Sequence, residues 1–334
     1  MVCLSRENFA FEGKRKGTPC SSLGAMVISD NRYTEAQVIA ALKEIFATSD
    51  PRISIGIGDD AAVVTGGPNQ ILTTDMAVAG VHFRTDWSSA FEIGRKVTAA
   101  NTADVLAMSA KPDYLLVAVA LTGSETIEWI TDLARGIKYE ADLAGAHVVG
   151  GDISRAGQLV ISITAIGSTN KPITRSGAKP GDGIYLSSLT GWSAAGLAML
   201  NSGSTEVGEP AEKALSEFKS PTIDYGFDAS NSNALCDVSD ALVIQAAQMA
   251  EASKVCFNFD LAKIQASPEF GELEKVAQKL AANIWSWIFA GGEDHALLAT
   301  GRDLPGILIG EVSEGAGLAN VPAGVEANAW QHFK

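Results

Sequence analysis

The sequence predicts a mixed α/β protein of two domains, in which strands and helices form α+β sandwiches rather than a strictly alternating parallel fold. Three observations predict it. At 334 residues the chain exceeds one typical hydrophobic core. Its first half reads strand, helix, strand, helix, strand, strand. A polar connector then precedes a second mixed run, and 46% hydrophobic with 19% charged residues is the composition of an ordinary globular chain.

Residues 1–25 are rich in charge, Gly and Ser, include Gly13-Lys14-Arg15-Lys16-Gly17 and show no hydrophobic period, so a disordered extension is expected there. A first domain is then expected over 26–168 and a second over 169–334. Val38, Leu42 and Ile45 recur at helical spacing behind Asn31 or Thr34 as caps, predicting a helix over 34–48. Gly56-Ile57-Gly58-Asp59-Asp60 follows, a loop that brings backbone and carboxylates together, although Gly-Asp clusters are also ordinary turn chemistry.

Ile71 and Leu72 begin a strand, and Gly80 offers a turn, which puts Asp75 at or near the strand end. Thr73, Thr74 and Asp75 in succession form an oxygen-rich edge suited to a hard cation such as Mg²⁺. They read equally as β-branched strand residues ahead of a turn-starting acid. Phe91 to Ala110 is predicted helical, lined by Val97, Ala100, Val105 and Met108. Asn101 and Asp104, three apart, share the face of Val97 and Met108, so a carboxylate falls on an apolar face and needs a cation or a donor. A face misjudged by one residue would leave Asp104 exposed instead.

Asp113 to Leu121 reads as a buried strand, Ile127 to Ala144 as an amphipathic helix, and Leu159 to Ile166 as another strand. Between them, His147 to Asp152 is a strand running into Gly150 and Gly151, where a ligand can approach the backbone beside Asp152. The connector over 168–183 carries Arg175, whose forked guanidinium in a Gly- and Ser-containing loop suits a phosphate. Then come a strand over 183–188 and a small-residue helix over 192–200. Leu235-Cys236-Asp237-Val238-Ser239-Asp240 leads from a strand into a helix capped by Ser239 or Asp240. One such acid needs no function beyond the helix N-terminus, but Asp237 and Asp240 together exceed what a cap requires. Finally the apolar run Trp285 to Ala290 enters Gly291-Gly292-Glu293-Asp294-His295, and the chain ends Trp330-Gln331-His332-Phe333-Lys334.

A formal net charge of −14 argues against nucleic-acid or anionic-membrane binding through a basic surface. Phosphate ligands stay open, because carboxylates that hold Mg²⁺ make an acidic cleft accept anions. The four cysteines, Cys3, Cys20, Cys236 and Cys256, are widely spaced and read as free thiols of a reducing compartment. With no membrane-length apolar run and no signal core, a cytoplasmic protein is expected. Zinc-ligand clusters, a G-x-x-x-x-G-K-[ST] loop and the H-R-D and D-F-G kinase motifs are all missing, so any nucleotide phosphates have to be held chiefly through metals.

In order along the chain, Gly56-Ile57-Gly58-Asp59-Asp60-Ala61, Thr73-Thr74-Asp75 through Gly80-Val81-His82-Phe83, Asn101-Thr102-Ala103-Asp104, Gly150-Gly151-Asp152, Thr174 to Asp182, Asp237-Val238-Ser239-Asp240, Gly291-Gly292-Glu293-Asp294 and His332-Phe333 resemble the thiamine-monophosphate kinases, within the aminoimidazole ribonucleotide synthetase-like superfamily. The resemblance spans about Asn31 to Phe333 and rests on the order of the motifs, none of which is specific alone. It implies Mg²⁺-dependent transfer of the ATP γ-phosphoryl to thiamine monophosphate, and a homodimer paired through N-terminal sheets into a barrel. By the same resemblance Asp60, Thr73, Thr74, Asp75, Asp104, Asp152, Asp237 and Asp240 match metal positions, and Gly151, Asp152, Arg175 and Ser239 nucleotide contacts. His82, Glu293 and Trp330 match substrate contacts, with Arg175 and Asp240 in the catalytic step.

Four features depart from the family pattern. Ala241 replaces a Gly, His295 replaces a Tyr, no Pro-x-Pro-Arg segment is recognisable around Ser220-Pro221-Thr222, and the N-terminal extension has no counterpart. The rival readings are a superfamily enzyme with a different acceptor and a non-catalytic nucleotide- or metal-binding homologue. Cys20, in a Thr-Pro-Cys-Ser-Ser context, does not fit the reactive Cys of a selenophosphate synthetase-like chain.

Overall fold

A computed structural model describes residues 35–55, 63–203 and 208–325. The elements run α1 (Glu35–Ile45), β1 (Ile53–Ile55), β2 (Val63–Val64), β3 (Asn69–Val78), α2 (Ala90–Leu106), β4 (Lys111–Leu121), α3 (Ile127–Ala144), β5 (His147–Arg155) and β6 (Val160–Thr169). After the connector come β7 (Gly183–Leu186), α4 (Trp192–Ser202), α5 (Glu209–Lys219), β8 (Ala234–Val238), α6 (Leu242–Ser253), β9 (Cys256–Phe259), α7 (Leu261–Gln265), α8 (Pro268–Lys279), α9 (Ile284–Ala290), β10 (Ala296–Gly301), β11 (Ile307–Ser313) and β12 (Gly317–Ala319). Among the described residues no helix is long and apolar enough to cross a membrane. The expected extension over 1–25 and the caps Asn31 and Thr34 lie outside the described residues.

Each main sheet is built from one side of the connector. The first has the order β3-β6-β4-β5, with only β4 and β5 parallel. The second has the order β12-β9-β11-β7-β10-β8. The strand pleat turns alternate residues of the first sheet inward. Leu115, Ile161, Ile163 and Ala165 therefore meet Ile93, Val97, Leu133 and Ile137 of α2 and α3 in one core. The opposite face carries Leu72, 67% exposed, and Met76, 60% exposed. The second sheet has its own core, in which Phe257 and Phe289 are fully or almost fully enclosed.

The helix α2 is the element the site hangs on, and its start is written in its sequence. Ser89 accepts a hydrogen bond from the Glu92 amide, and Glu92 Oε2 accepts one from the Ser89 amide at 2.7 Å, a reciprocal capping box. Its neighbour α3 starts at Thr126, whose side chain accepts from the Trp129 amide, and ends at Gly145 in the left-handed region. The two helices meet through glycines. A Cβ on Gly94 would lie 2.2 Å from the Leu133 carbonyl oxygen, and one on Gly136 would lie 2.1 Å from that of Phe91.

Three expected boundaries move. Asp75 is not at a strand end, because the ladder with β6 continues through Val78, and the turn at Gly80 (φ 82°) comes after it. Gly150 and Gly151 do not end a strand either; they sit within β5, opposite Leu116 and Val117. The helix α6 is capped by Ala241, not by Ser239 or Asp240, and Gln245 Oε1 accepts from the Ala241 amide in place of a side-chain cap. Ala241 is extended (φ −175°), a conformation any residue adopts, so Ala in place of the family's Gly strains nothing.

The helix contact gives a stability prediction. Gly136→Ala raises helix propensity, yet its methyl group collides with the backbone of α2, so we expect a net loss of about 2 kcal/mol in a urea melt. A gain in stability would show that α2 and α3 do not depend on this close approach.

Candidate active site

The edge strand β3 and the helix α2 are joined by two side-chain hydrogen bonds. The outward amide of Asp75 donates to Asn101 Oδ1 at 3.0 Å, and Thr73 Oγ1 donates to Asp104 Oδ2 at 2.8 Å. Residues two apart on the strand thus meet residues three apart on the helix, each pair on one face. Asn101 is 2% exposed and in turn donates to the Val97 carbonyl at 2.8 Å, which fixes its amide orientation.

The pleat separates the successive residues Thr73, Thr74 and Asp75. Thr73 and Asp75 face the helices, whereas Thr74 turns to the open face, where its hydroxyl meets the Ile163 carbonyl and Thr164. Asp152 is on that open face as well, in a row with Met76, Ser162 and Ala118 at the far edge of the sheet. Gly151 packs so tightly on Val117 that a Cβ would lie 1.8 Å from its carbonyl oxygen. Arg175 is exposed on the connector, with its carbonyl accepting from Ser253 Oγ at 3.4 Å. Asp60 and Trp330 lie outside the described residues.

From the second half of the chain, β8 brings Asp237, 2% exposed, to the same junction. His295 Nδ1 lies 3.2 Å from Asp237 Oδ2, so the His that replaces the family's Tyr serves here to hold a carboxylate. Ser239 and Asp240 follow at the mouth, and the Ser239 carbonyl accepts from the Glu293 amide at 2.7 Å. Glu293 (φ 67°) and His295 (φ 52°) both adopt the left-handed backbone that non-glycine residues avoid. Asp294 between them explains how that turn persists. Its carboxylate accepts from the Gly191 amide at 2.7 Å and the Ser193 amide at 2.9 Å, pinning the turn to the start of α4. Burial still pushes the Asp294 carboxyl up to about 7 against these two donors.

These groups line a cleft of about 770 Å³ between the first sheet with α2 and the second half of the chain. Of the residues singled out in the sequence, Asp75, His82, Asp104, Asp237, Ser239, Asp240 and Glu293 line it, and Thr73 reaches it through Asp104. Gly151, Asp152, Thr74 and Arg175 do not. The Val78 amide donates to His82 Nδ1 at 3.1 Å, which leaves the ring proton on Nε2. One wall is aromatic, with Trp87 and Phe218 edge-to-face at 6.0 Å and the Arg84 guanidinium 4.0 Å over Trp87.

The sequence reading missed Lys96, a cleft-lining cation only 6% exposed. The signal was available: Lys96 lies between Ile93 and Val97 on the apolar face of α2, the same argument that singled out Asp104.

Burial, the nearby Asp237 and Asp75 carboxylates push Asp104 up to about 6, against the hydrogen bond from Thr73. Burial also raises Asp75, with Asp237 and Glu293 adding to it while His295 opposes. The carboxyls at this junction therefore repel one another and are hard oxygen donors, which is the chemistry a divalent cation such as Mg²⁺ fits. Among the described residues no three His, Cys, Asp or Glu side chains are drawn together tightly enough to hold an ion alone. A cation here has to complete its shell with oxygens of ligand or water, as Mg²⁺ commonly does.

Fold and cleft define a protein of the AIR synthase-related class. The family profile described as AIR synthase related protein, N-terminal domain, matches residues 58–169. Thiamine-monophosphate kinase of Corynebacterium glutamicum is 38% identical over 254 residues, 73% of this chain and 76% of the relative. That of Mycobacterium tuberculosis is 36% identical over 254 residues, 74% of each chain. The solved structure described as AaThiL complexed with AMPPCP and TMP superposes with a TM-score of 0.74 at 29% identity, covering 90% of this chain and 97% of that one. The chain belongs to the thiamine-monophosphate kinase family.

The raised carboxyl of Asp104 predicts a pH dependence for the metal-free protein. The folded state binds its proton near pH 6, whereas an unfolded Asp does so near pH 3.9, so this group's share of stability is present below about pH 4 and lost as pH rises through about 6. Melting of Asp104→Asn in EDTA between pH 4 and 7 is expected to fall less steeply with rising pH than that of the wild type. An unchanged slope would contradict the shift.

Proposed function

We propose that this chain transfers the γ-phosphoryl of ATP in line to the phosphate of thiamine monophosphate, giving thiamine diphosphate and ADP with Mg²⁺ as cofactor. The observation that carries this reading is one cleft lined together by the carboxylates Asp75, Asp104 and Asp237, by Glu293 and by the aromatic pair Trp87 and Phe218. A substrate with a cationic aromatic ring and a phosphate matches that lining.

Asp60, Thr73, Thr74, Asp75, Asp104, Asp152, Asp237 and Asp240 are assigned to metal, and Gly151, Asp152, Arg175 and Ser239 to the nucleotide. His82, Glu293 and Trp330 are assigned to thiamine monophosphate, with Arg175 and Asp240 acting in the catalytic step. Mg²⁺ bound by the carboxylates would offset the charge of the two meeting phosphates. The acceptor phosphate is already anionic near neutral pH, so the residues need to orient it rather than deprotonate it. Lys96 and the other charges around Glu293 hold its carboxyl below its usual range against burial, leaving an anion facing the cleft for the thiazolium charge. His82 offers an Nε2 proton, and Trp87 with Phe218 offers a surface for aromatic rings.

Exposed Leu72 and Met76 on the open face of the first sheet support a homodimer formed there, which would also cover Thr74 and Asp152. The same reading keeps the domain division at 26–168 and 169–334. It also places the protein in the cytoplasm, with Cys236 and Cys256 as free thiols.

A product assay with ATP, Mg²⁺ and thiamine monophosphate, resolving thiamine diphosphate from ADP, tests the reading; both products are expected in equal amounts. ATP consumption without thiamine diphosphate would move the activity to another acceptor. Asp75→Asn or Asp104→Asn is expected to lower kcat by about 100-fold or more, and near-normal turnover at limiting Mg²⁺ would refute the metal assignment.

A further inference from the structure

Beyond helping to keep Glu293 ionised, Lys96 has no contact assigned to it in the reaction, although burying an ammonium is costly unless partners compensate it. Its Nζ donates to the Phe218 carbonyl at 2.9 Å and lies 3.1 Å from Glu293 Oε2 and 4.6 Å from the centre of the Phe218 ring. Three segments distant in sequence meet at this one nitrogen: α2, the last turn of α5, and the loop after α9.

The ion pair is lopsided. The Lys96 side chain is 7% exposed and that of Glu293 is 43% exposed, so the cation is fixed inside while the carboxylate is the member a ligand can reach. The main chain of Glu293 is held by the hydrogen bond its amide donates to the Ser239 carbonyl and by the Asp294 pin next to it. Its side chain is steered by Lys96. A loop carboxylate without such a partner would sample several rotamers and lose entropy on binding a ligand.

We propose that Lys96 is a positioning residue for thiamine monophosphate. It sets the Glu293 carboxylate toward the cationic ring and ties that carboxylate, through the Phe218 carbonyl, to the aromatic wall of the same cleft. The inference rests on the reading of Glu293 as a substrate contact. It predicts a defect in binding one substrate rather than in chemistry, because the pair is assigned to the cationic ring and not to the metal or the nucleotide.

The test is a double-mutant cycle read by KM and kcat for both substrates, alongside melting temperature. Lys96→Met is expected to raise KM for thiamine monophosphate by about tenfold, with kcat and KM for ATP within about threefold of wild type. Glu293→Gln is expected to raise the same KM, and adding Lys96→Met to it is expected to change little more. Lys96→Arg is expected to restore KM to within about threefold of wild type. Glu293→Asp keeps the charge but withdraws it from Lys96, and it is expected to raise KM even if Lys96→Met does not fold. If Lys96→Met lowers only the melting temperature, or its effect multiplies fully with that of Glu293→Gln, the pair is structural and the proposal fails. If Glu293→Gln leaves KM unchanged, the reading of Glu293 as a substrate contact fails instead, and the proposal with it.

Discussion

The hydrogen bond from the Asp75 amide to Asn101 Oδ1 is the constraint on which the rest of the site depends. An edge strand leaves a row of amides unpaired, and here one of them is answered by a helix side chain rather than by another strand. That contact, with Thr73 on Asp104 beside it, sets the height and rotation of α2 against the sheet. Once α2 is seated, its apolar positions meet α3 through Gly94 and Gly136 and its polar ones face the second half of the chain. The cleft is the space left between them.

The seating has an electrostatic consequence. Asp75, Asp104 and Asp237 arrive from a strand, a helix and a second sheet; Asp237 raises the proton affinity of both others, and Asp75 raises that of Asp104. The rest of the fold holds this junction in place: His295 on Asp237, and Asp294 on the start of α4 with the left-handed residues Glu293 and His295 on either side of it. Mutual repulsion and backbone strain gathered at one cleft are what a site prepared for a cation and a polyanion would show, because the ligand supplies the missing compensation.

Much of this was legible in the sequence. Helix spacing marked Asp104 on an inward face, and β-branched and apolar runs located the four strands of the first sheet and β7 and β8 of the second, but not β9 to β12. What was not legible had three physical sources. The pleat decides which of three successive residues share a face, and it parts Thr74 from Thr73 and Asp75 although they are adjacent in sequence. Unexpected partners take over: Gln245, within the first turn of α6, stands in for the cap that Ser239 or Asp240 was expected to supply, and Asp294, grouped in sequence with Glu293, acts on a helix start about a hundred residues away. Lys96 was overlooked because only acids had been sought on apolar faces. Thr74, Asp152 and Arg175 lie away from the cleft, the first two on the open face of the sheet and the third on the exposed connector.

The central claim is that crowded carboxylates at the junction of β3, α2 and β8 destabilise the empty protein and are relieved by Mg²⁺ with nucleotide. The most direct test is thermal melting of wild type and Asp104→Asn, in EDTA and then with Mg²⁺ and a non-hydrolysable ATP analogue. The account predicts that Asp104→Asn melts above wild type in EDTA, and that the wild type gains far more on adding Mg²⁺ and analogue. A variant that melts below wild type without metal, together with an equal gain in both proteins, would contradict it.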